Sequence, residues 1–107
     1  MRDARIQRIL DALRQEMSRT LGDRLDAIIL FGSRARGDAQ AESDIDVLIV
    51  VRGDFDYGDL IRRTSAGIAA LSLENDVVIS RAFVSKDQFE RGRSPFLLNV
   101  RREGVPV

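Results

Sequence analysis

No cysteine and no histidine occur anywhere in this chain. The first absence removes disulfides and thiolate chemistry. The second removes Ser-His-Asp triads, and the two together remove the usual zinc ligands. Acid–base or metal chemistry must then rest on carboxylates, which suit hard cations such as magnesium or manganese. A surplus of charge is missing too: 17 basic side chains balance 17 acidic ones, for a formal net charge of zero. Bulk composition supports no electrostatic grip on nucleic acid, and direct nucleic-acid binding is not expected. Lysine is nearly absent, since Lys86 is the only one and every other basic residue is arginine. Apolar runs reach only about five or six residues, against the ~20 that a membrane-spanning helix needs. Arg2, Asp3, Arg5 and Arg8 interrupt the N-terminal stretch, so it shows no signal-peptide pattern. The expectation is a cytoplasmic protein without membrane contact.

What remains is a globular mix, 44% apolar and 32% charged over 107 residues. That length points to a single domain over 1–107. No repeat, linker or low-complexity tract divides it. Ile6, Ile9, Leu10, Leu13, Met17 and Leu21 recur at helical spacing, which predicts an amphipathic helix over 3–21 that stops at Gly22. "DAIILFGS" (26–33) and "DIDVLIVV" (44–51) read as strands. Leu60, Ile61, Thr64, Ile68 and Leu71 mark a second helix after a turn-rich connection over 52–59. "DVVIS" (76–80) reads as a third strand that "RAFV" can prolong. Ser85 caps a short turn through Phe89. Ser94, Pro95 and Gly104 bracket a last helix in the N-cap, N1 and C′ positions. The expected fold class is α+β, a mixed α/β layer in which helices cover a small mixed sheet.

The chemistry concentrates in "GSRARGDAQAESDID" (32–46). Residues i and i+2 of a strand share a face, so Asp44 and Asp46 point the same way, with Cα atoms about 6.7 Å apart. Two like charges on one face of a buried strand repel each other and are costly to desolvate. A divalent cation beside them removes both penalties. The same spacing in "DFD" (54–56) has no apolar strand behind it and reads as a loop. An EF-hand over 44–55 fails, because Leu48 and Ile49 occupy a ligand position and the required glycine position. Upstream, Gly32 and Ser33 follow a strand directly. Glycine admits close backbone approach, and free N–H groups with the Ser33 hydroxyl suit a phosphate. If the two strands are neighbours, ~4.8 Å apart, the phosphate cradle and the carboxylate pair converge. Asp76 is the candidate third carboxylate, either opening the strand "DVVIS" or serving as a helix-to-strand turn residue in "LENDVV".

Gly32-Ser33, ten intervening residues, Asp44-Ile45-Asp46 and the downstream Asp76 together resemble the signature of the polymerase-beta-like nucleotidyltransferase superfamily. The closing "SPFLLNVRREGVPV" is similar to the end of its minimal nucleotidyltransferase (MNT) members, so the resemblance covers nearly the whole chain. It implies that Gly32 and Ser33 hold the β- and γ-phosphates of ATP. Asp44, Asp46 and Asp76 are the implied ligands of two magnesium ions, with manganese as a substitute. Asp76 also helps to deprotonate an acceptor hydroxyl. Arg34 and Arg36 lie where triphosphate charge would be, and Arg34 is the candidate phosphate contact. Many MNT proteins pair as antitoxin with a helical HEPN ribonuclease toxin and transfer AMP from ATP to one of its tyrosines. Roughly thirty residues follow Asp76, too few for another domain to seat the acceptor. The acceptor is then recognised by this surface, by a second copy of the chain, or by a partner protein. Modification of a small molecule such as an antibiotic, and neutralisation of a toxin by binding alone, are the competing functional readings.

Overall fold

The computed structural model describes residues 3–40 and 43–107. Helix α1 runs Ala4–Leu21, and the Asp3 carboxylate caps it by accepting from the N–H groups of Arg5 and Ile6. All six apolar residues of its predicted stripe are buried. Gly22 ends it at φ 57°, donating its N–H to the Ser18 carbonyl. A short 3-10 turn leads into β1 (Leu25–Phe31), a short helix α2 (Ser33–Arg36) and β2 (Ile45–Val51). Then follow α3 (Tyr57–Asn75), β3 (Ile79–Ser85), α4 (Lys86–Arg91), α5 (Pro95–Glu103) and β4 (Val105–Pro106). The four strands form one mixed sheet in the order β3-β2-β1-β4. β1 is antiparallel to both its neighbours, whereas β2 and β3 are parallel, joined by the α3 crossover. This is the expected mixed α/β layer.

β2 is central, and both of its faces are covered. Ile45, Val47 and Ile49 pack with Ile28 and Leu30 of β1 beneath α1 and α3. Leu48 and Val50 pack with Ile29, Val84 and Val100 of α5 on the opposite face. Burial on both sides explains why this strand reads as an unbroken apolar run rather than an alternating one. A polar group enters the core beneath α3. The buried Thr64 hydroxyl donates to the Leu60 carbonyl at 2.7 Å and accepts from Nε of Arg81 at 2.9 Å. Arg81 also donates to the Ile61 carbonyl at 2.9 Å, so β3 is tied to α3 by a satisfied polar network.

Several expectations shift. The "DFD" loop ends in a helix cap: the Asp56 carboxylate accepts from the Asp59 N–H at 3.0 Å, and α3 starts inside the stretch read as a connection. β3 begins at Ile79 and runs to Ser85, so "RAFV" belongs to it. The turn expected after Ser85 is α4, opened by a capping box between Ser85 and Gln88. The C-terminal pair Val105–Pro106 adds a short edge strand, with Val105 opposite Leu30 and Pro106 opposite Ile29. Two residues carry no alternation to read, and proline is tolerated there because the strand lies at an edge. Gly104 follows α5 as expected but has φ −66°, not a left-handed value. Its requirement is steric instead, because a Cβ there would collide with Cγ2 of Ile29 and the carbonyl oxygen of Val100. Among the described residues no helix is long and apolar enough to cross a membrane.

Gly104→Ala is expected to destabilise the protein by about 1–3 kcal/mol through overpacking of the α5–β1 contact. Urea unfolding followed by circular dichroism measures this, and an unchanged midpoint would contradict the packing described.

Candidate active site

The site is built where β1 ends beside the start of β2. The antiparallel register sets Phe31 opposite Asp46. The next residue, Gly32, then lies against the Asp46 carboxylate: a Cβ at position 32 would stand 2.5 Å from Oδ2. Gly32 also has φ 74°, a conformation that favours glycine. From there the chain turns into α2, where the N–H groups of Ala35 and Arg36 both donate to the Gly32 carbonyl at 3.1 Å. Ser33 is the first residue of that turn, and the amides that open a helix have no intrahelical acceptor. Gly37, left-handed at φ 84°, closes α2 with its N–H on the Ser33 carbonyl. The strands are neighbours, and the Gly-Ser turn meets the Asp46 carboxylate.

Asp44 and Asp46 share the face of β2 that carries Leu48 and Val50 further along. Those two are buried, Asp46 is half-buried and Asp44 is exposed. The covered face therefore opens toward the N-terminal end of the strand. Burial raises the Asp46 pKa above the ordinary carboxylate value, the Asp44 charge raises it further, and Arg36 partly offsets both. Arg36 itself pairs with Asp38 at 3.3 Å and Glu103 at 3.5 Å. Two carboxylates whose repulsion Arg36 only partly offsets, beside a backbone turn, fit a hard divalent cation.

The remaining predicted residues lie differently. Asp76 does not open a strand; it follows α3 in the left-handed conformation, φ 50° and ψ 52°. The N–H groups of Asp76 and Val77 both donate to the Ser72 carbonyl, which closes the helix. Aspartate tolerates this conformation better than most residues, so the turn reading of "LENDVV" is the one the structure adopts. In register with Asp46 on β3 stands Ser80, and the Ile45 N–H donates to the carbonyl of Val78 at 2.9 Å. Among the described residues no three acidic side chains form a group placed to hold a metal. Arg34 directs its guanidinium to the Ser43 carbonyl, with Nε at 3.1 Å and Nη2 at 2.8 Å.

Some neighbours of the site carried no signal in the sequence. Phe96 of α5 meets Phe31, the residue opposite Asp46, edge-to-face at 5.3 Å and remains 45% exposed. A contact between residues 65 positions apart leaves no local pattern; only the packing of α5 against β1 reveals it. A cavity of about 600 Å³ opens behind α2, lined by Ile6, Leu30, Arg34 and Arg36 among others. The carboxylate pair does not line it and sits instead at the open end of the sheet.

A raised Asp46 pKa implies a sign for stability. Its protonated form is favoured in the folded state, so its contribution is present at acid pH and is lost as pH rises through the folded-state value. Asp46→Asn should therefore raise the thermal midpoint of the metal-free protein at pH 7. The gain should vanish near pH 3, as scanning calorimetry at both pH values would reveal; an equal gain at both would contradict it.

The arrangement has relatives. A family model for the nucleotidyltransferase domain matches residues 6–101. A "putative protein adenylyltransferase" of Methanocaldococcus jannaschii is 45% identical over 83 residues, 76% of each chain. A second protein so described from the same organism is 52% identical over 44 residues, 41% of this chain and 44% of that one. The match to that relative thus spans less than half its length. Among solved structures, a "putative nucleotidyltransferase" of Sulfolobus solfataricus superposes with a TM-score of 0.63 at 22% identity. It covers 99% of this chain and 87% of its own, a likeness of fold. A "putative minimal nucleotidyltransferase" gives a TM-score of 0.54 at 29% identity over 95% of this chain and 91% of its own.

Proposed function

The chain belongs to the nucleotidyltransferase domain family, and from that premise we propose that it transfers AMP from ATP to a hydroxyl of a partner protein. The observation that carries this reading is the contact of Gly32 with the Asp46 carboxylate. It supports a reading in which the turn proposed to accept phosphate and the pair proposed to bind a cation serve one site. The names of the relatives support protein as the acceptor. Their substrate is carried over to this chain as part of the proposal.

In the proposed reaction the acceptor hydroxyl oxygen attacks the α-phosphorus, and a new P–O bond forms. The bond to the bridging oxygen breaks, and pyrophosphate leaves with the electron pair. Gly32 and Ser33 hold the triphosphate by backbone N–H groups and the Ser33 hydroxyl. Asp44 and Asp46 would hold magnesium, which when bound supplies the positive charge that offsets the triphosphate. Asp76 is the proposed third carboxylate and takes the acceptor proton; it lies two residues ahead of Val78, where β3 meets the start of β2. The protein's work is positioning and charge neutralisation, which agrees with a chain that has neither histidine nor cysteine.

The proposed partner is a HEPN-type helical ribonuclease, silenced by adenylylation of a tyrosine, with this chain as its antitoxin. The exposed start of the site is suited to a protein acceptor, since Asp44 is open to solvent. Incubation with labelled ATP, magnesium and the protein encoded by the neighbouring gene tests this. Label is expected on the partner, and Asp44→Ala or Asp46→Ala should lower transfer about 100-fold or more. Label on a small-molecule acceptor alone would overturn the protein-acceptor reading. Neutralisation that survives both substitutions would show an antitoxin that acts by binding.

A further inference from the structure

The two carboxylates of the pair are held by different means. Asp46 lies inside β2, with Phe31 opposite it on β1 and Ser80 on β3, so the sheet fixes it from both sides. Asp44 lies one residue ahead of the strand and is exposed. On its C-terminal side the backbone is pinned by the Ile45 N–H on the Val78 carbonyl. On its N-terminal side the pin is a side chain. Nε and Nη2 of Arg34 both donate to the Ser43 carbonyl, at 3.1 and 2.8 Å, in a part-buried contact. Ser43 is tied back as well, since its hydroxyl accepts from the Gln40 N–H at 2.8 Å and its own N–H donates to the Gln40 carbonyl at 3.1 Å. Arg34 stands in α2, next to Ser33. The turn that follows Gly32 thus also reaches across to the residue before Asp44.

We infer that Arg34 is a positioning residue, which fixes the Ser43 carbonyl and through it the Asp44 carboxylate for cation binding, rather than a contact to the triphosphate. The inference rests on the proposal that the carboxylate pair holds a divalent cation. Arginine suits the task because its planar fork brings two donors to one oxygen, which a lysine ammonium cannot reproduce. Magnesium demands near-octahedral geometry, so a carboxylate free to wander binds it less well. Groups that orient metal ligands typically matter 10–100-fold in affinity.

The test is Mn²⁺ binding without nucleotide, read by electron paramagnetic resonance of free Mn²⁺ and compared with the thermal midpoint of each metal-free protein. Arg34→Met keeps the apolar stem and removes the donors; it should weaken Mn²⁺ binding about 10-fold or more. Arg34→Lys should recover part of that loss, and it decides the matter if Arg34→Met does not fold. Wild-type Mn²⁺ affinity in Arg34→Lys and Arg34→Met would overturn the inference, whether accompanied by a lower thermal midpoint (a purely structural role) or by lost binding of inorganic triphosphate (a phosphate contact). Asp46→Asn separates the two layers. If it abolishes Mn²⁺ binding while the Arg34 variants bind normally, the role of Arg34 falls and the carboxylate pair stands. If Asp46→Asn binds like the wild type, the pair is not the cation site and both readings fall.

Discussion

A Cβ on residue 32 would stand 2.5 Å from Oδ2 of Asp46, and the geometry of the site depends on that space being empty. The antiparallel register of β1 and β2 brings the backbone at Gly32 against the carboxylate. A side chain there would push apart either the strands or the turn. Because the space is open, the turn can enter α2 directly, with two N–H groups of α2 on the Gly32 carbonyl. The close approach also contributes to the half-burial of Asp46, which with the Asp44 charge raises its pKa. One missing methyl group therefore links the sheet register, the placement of α2 and the electrostatics of the pair.

The opposite face of β2 supplies the anchor. Ile45, Val47 and Ile49 are fully buried beneath α1 and α3. A slip of the strand by one residue would exchange its two faces, turning Asp46 toward α1 and α3 and these three toward the α5 side. The hydrophobic effect thus enforces the orientation of Asp46, although the carboxylates themselves are unfavourable there. Functional sites commonly hold such locally costly groups, stabilised by the surrounding packing.

Much of this was legible in the chain because the relevant patterns are local. The α1 stripe, the Ser94-Pro95 start of α5 and the Ser85 cap each depend on residues within a turn or two of one another. The Gly-Ser and Asp-x-Asp elements were legible for the same reason, each sitting at the edge of an apolar run. The features that escaped depend on partners far along the chain. β4 exists because β1 offers an edge, not because Val105 and Pro106 favour a strand. Gly104 looks like a left-handed cap, yet its constraint is the crowding by Ile29. Asp76 could be read as a strand start or a helix end, and the length of α3 decided between them. The bond of Arg34 to the Ser43 backbone is visible only once the loop has folded back.

The central claim is that the Gly-Ser turn and the aspartate pair form one cation–triphosphate site. The most direct measurement is a crystal structure with Mn²⁺ and a non-hydrolysable ATP analogue, using the anomalous signal of manganese to locate the ion. The account predicts an anomalous peak within coordination distance of the Asp44 and Asp46 carboxylates, with the triphosphate over Gly32 and Ser33. Manganese and nucleotide bound elsewhere, such as in the cavity behind α2, with the carboxylates unligated, would contradict it.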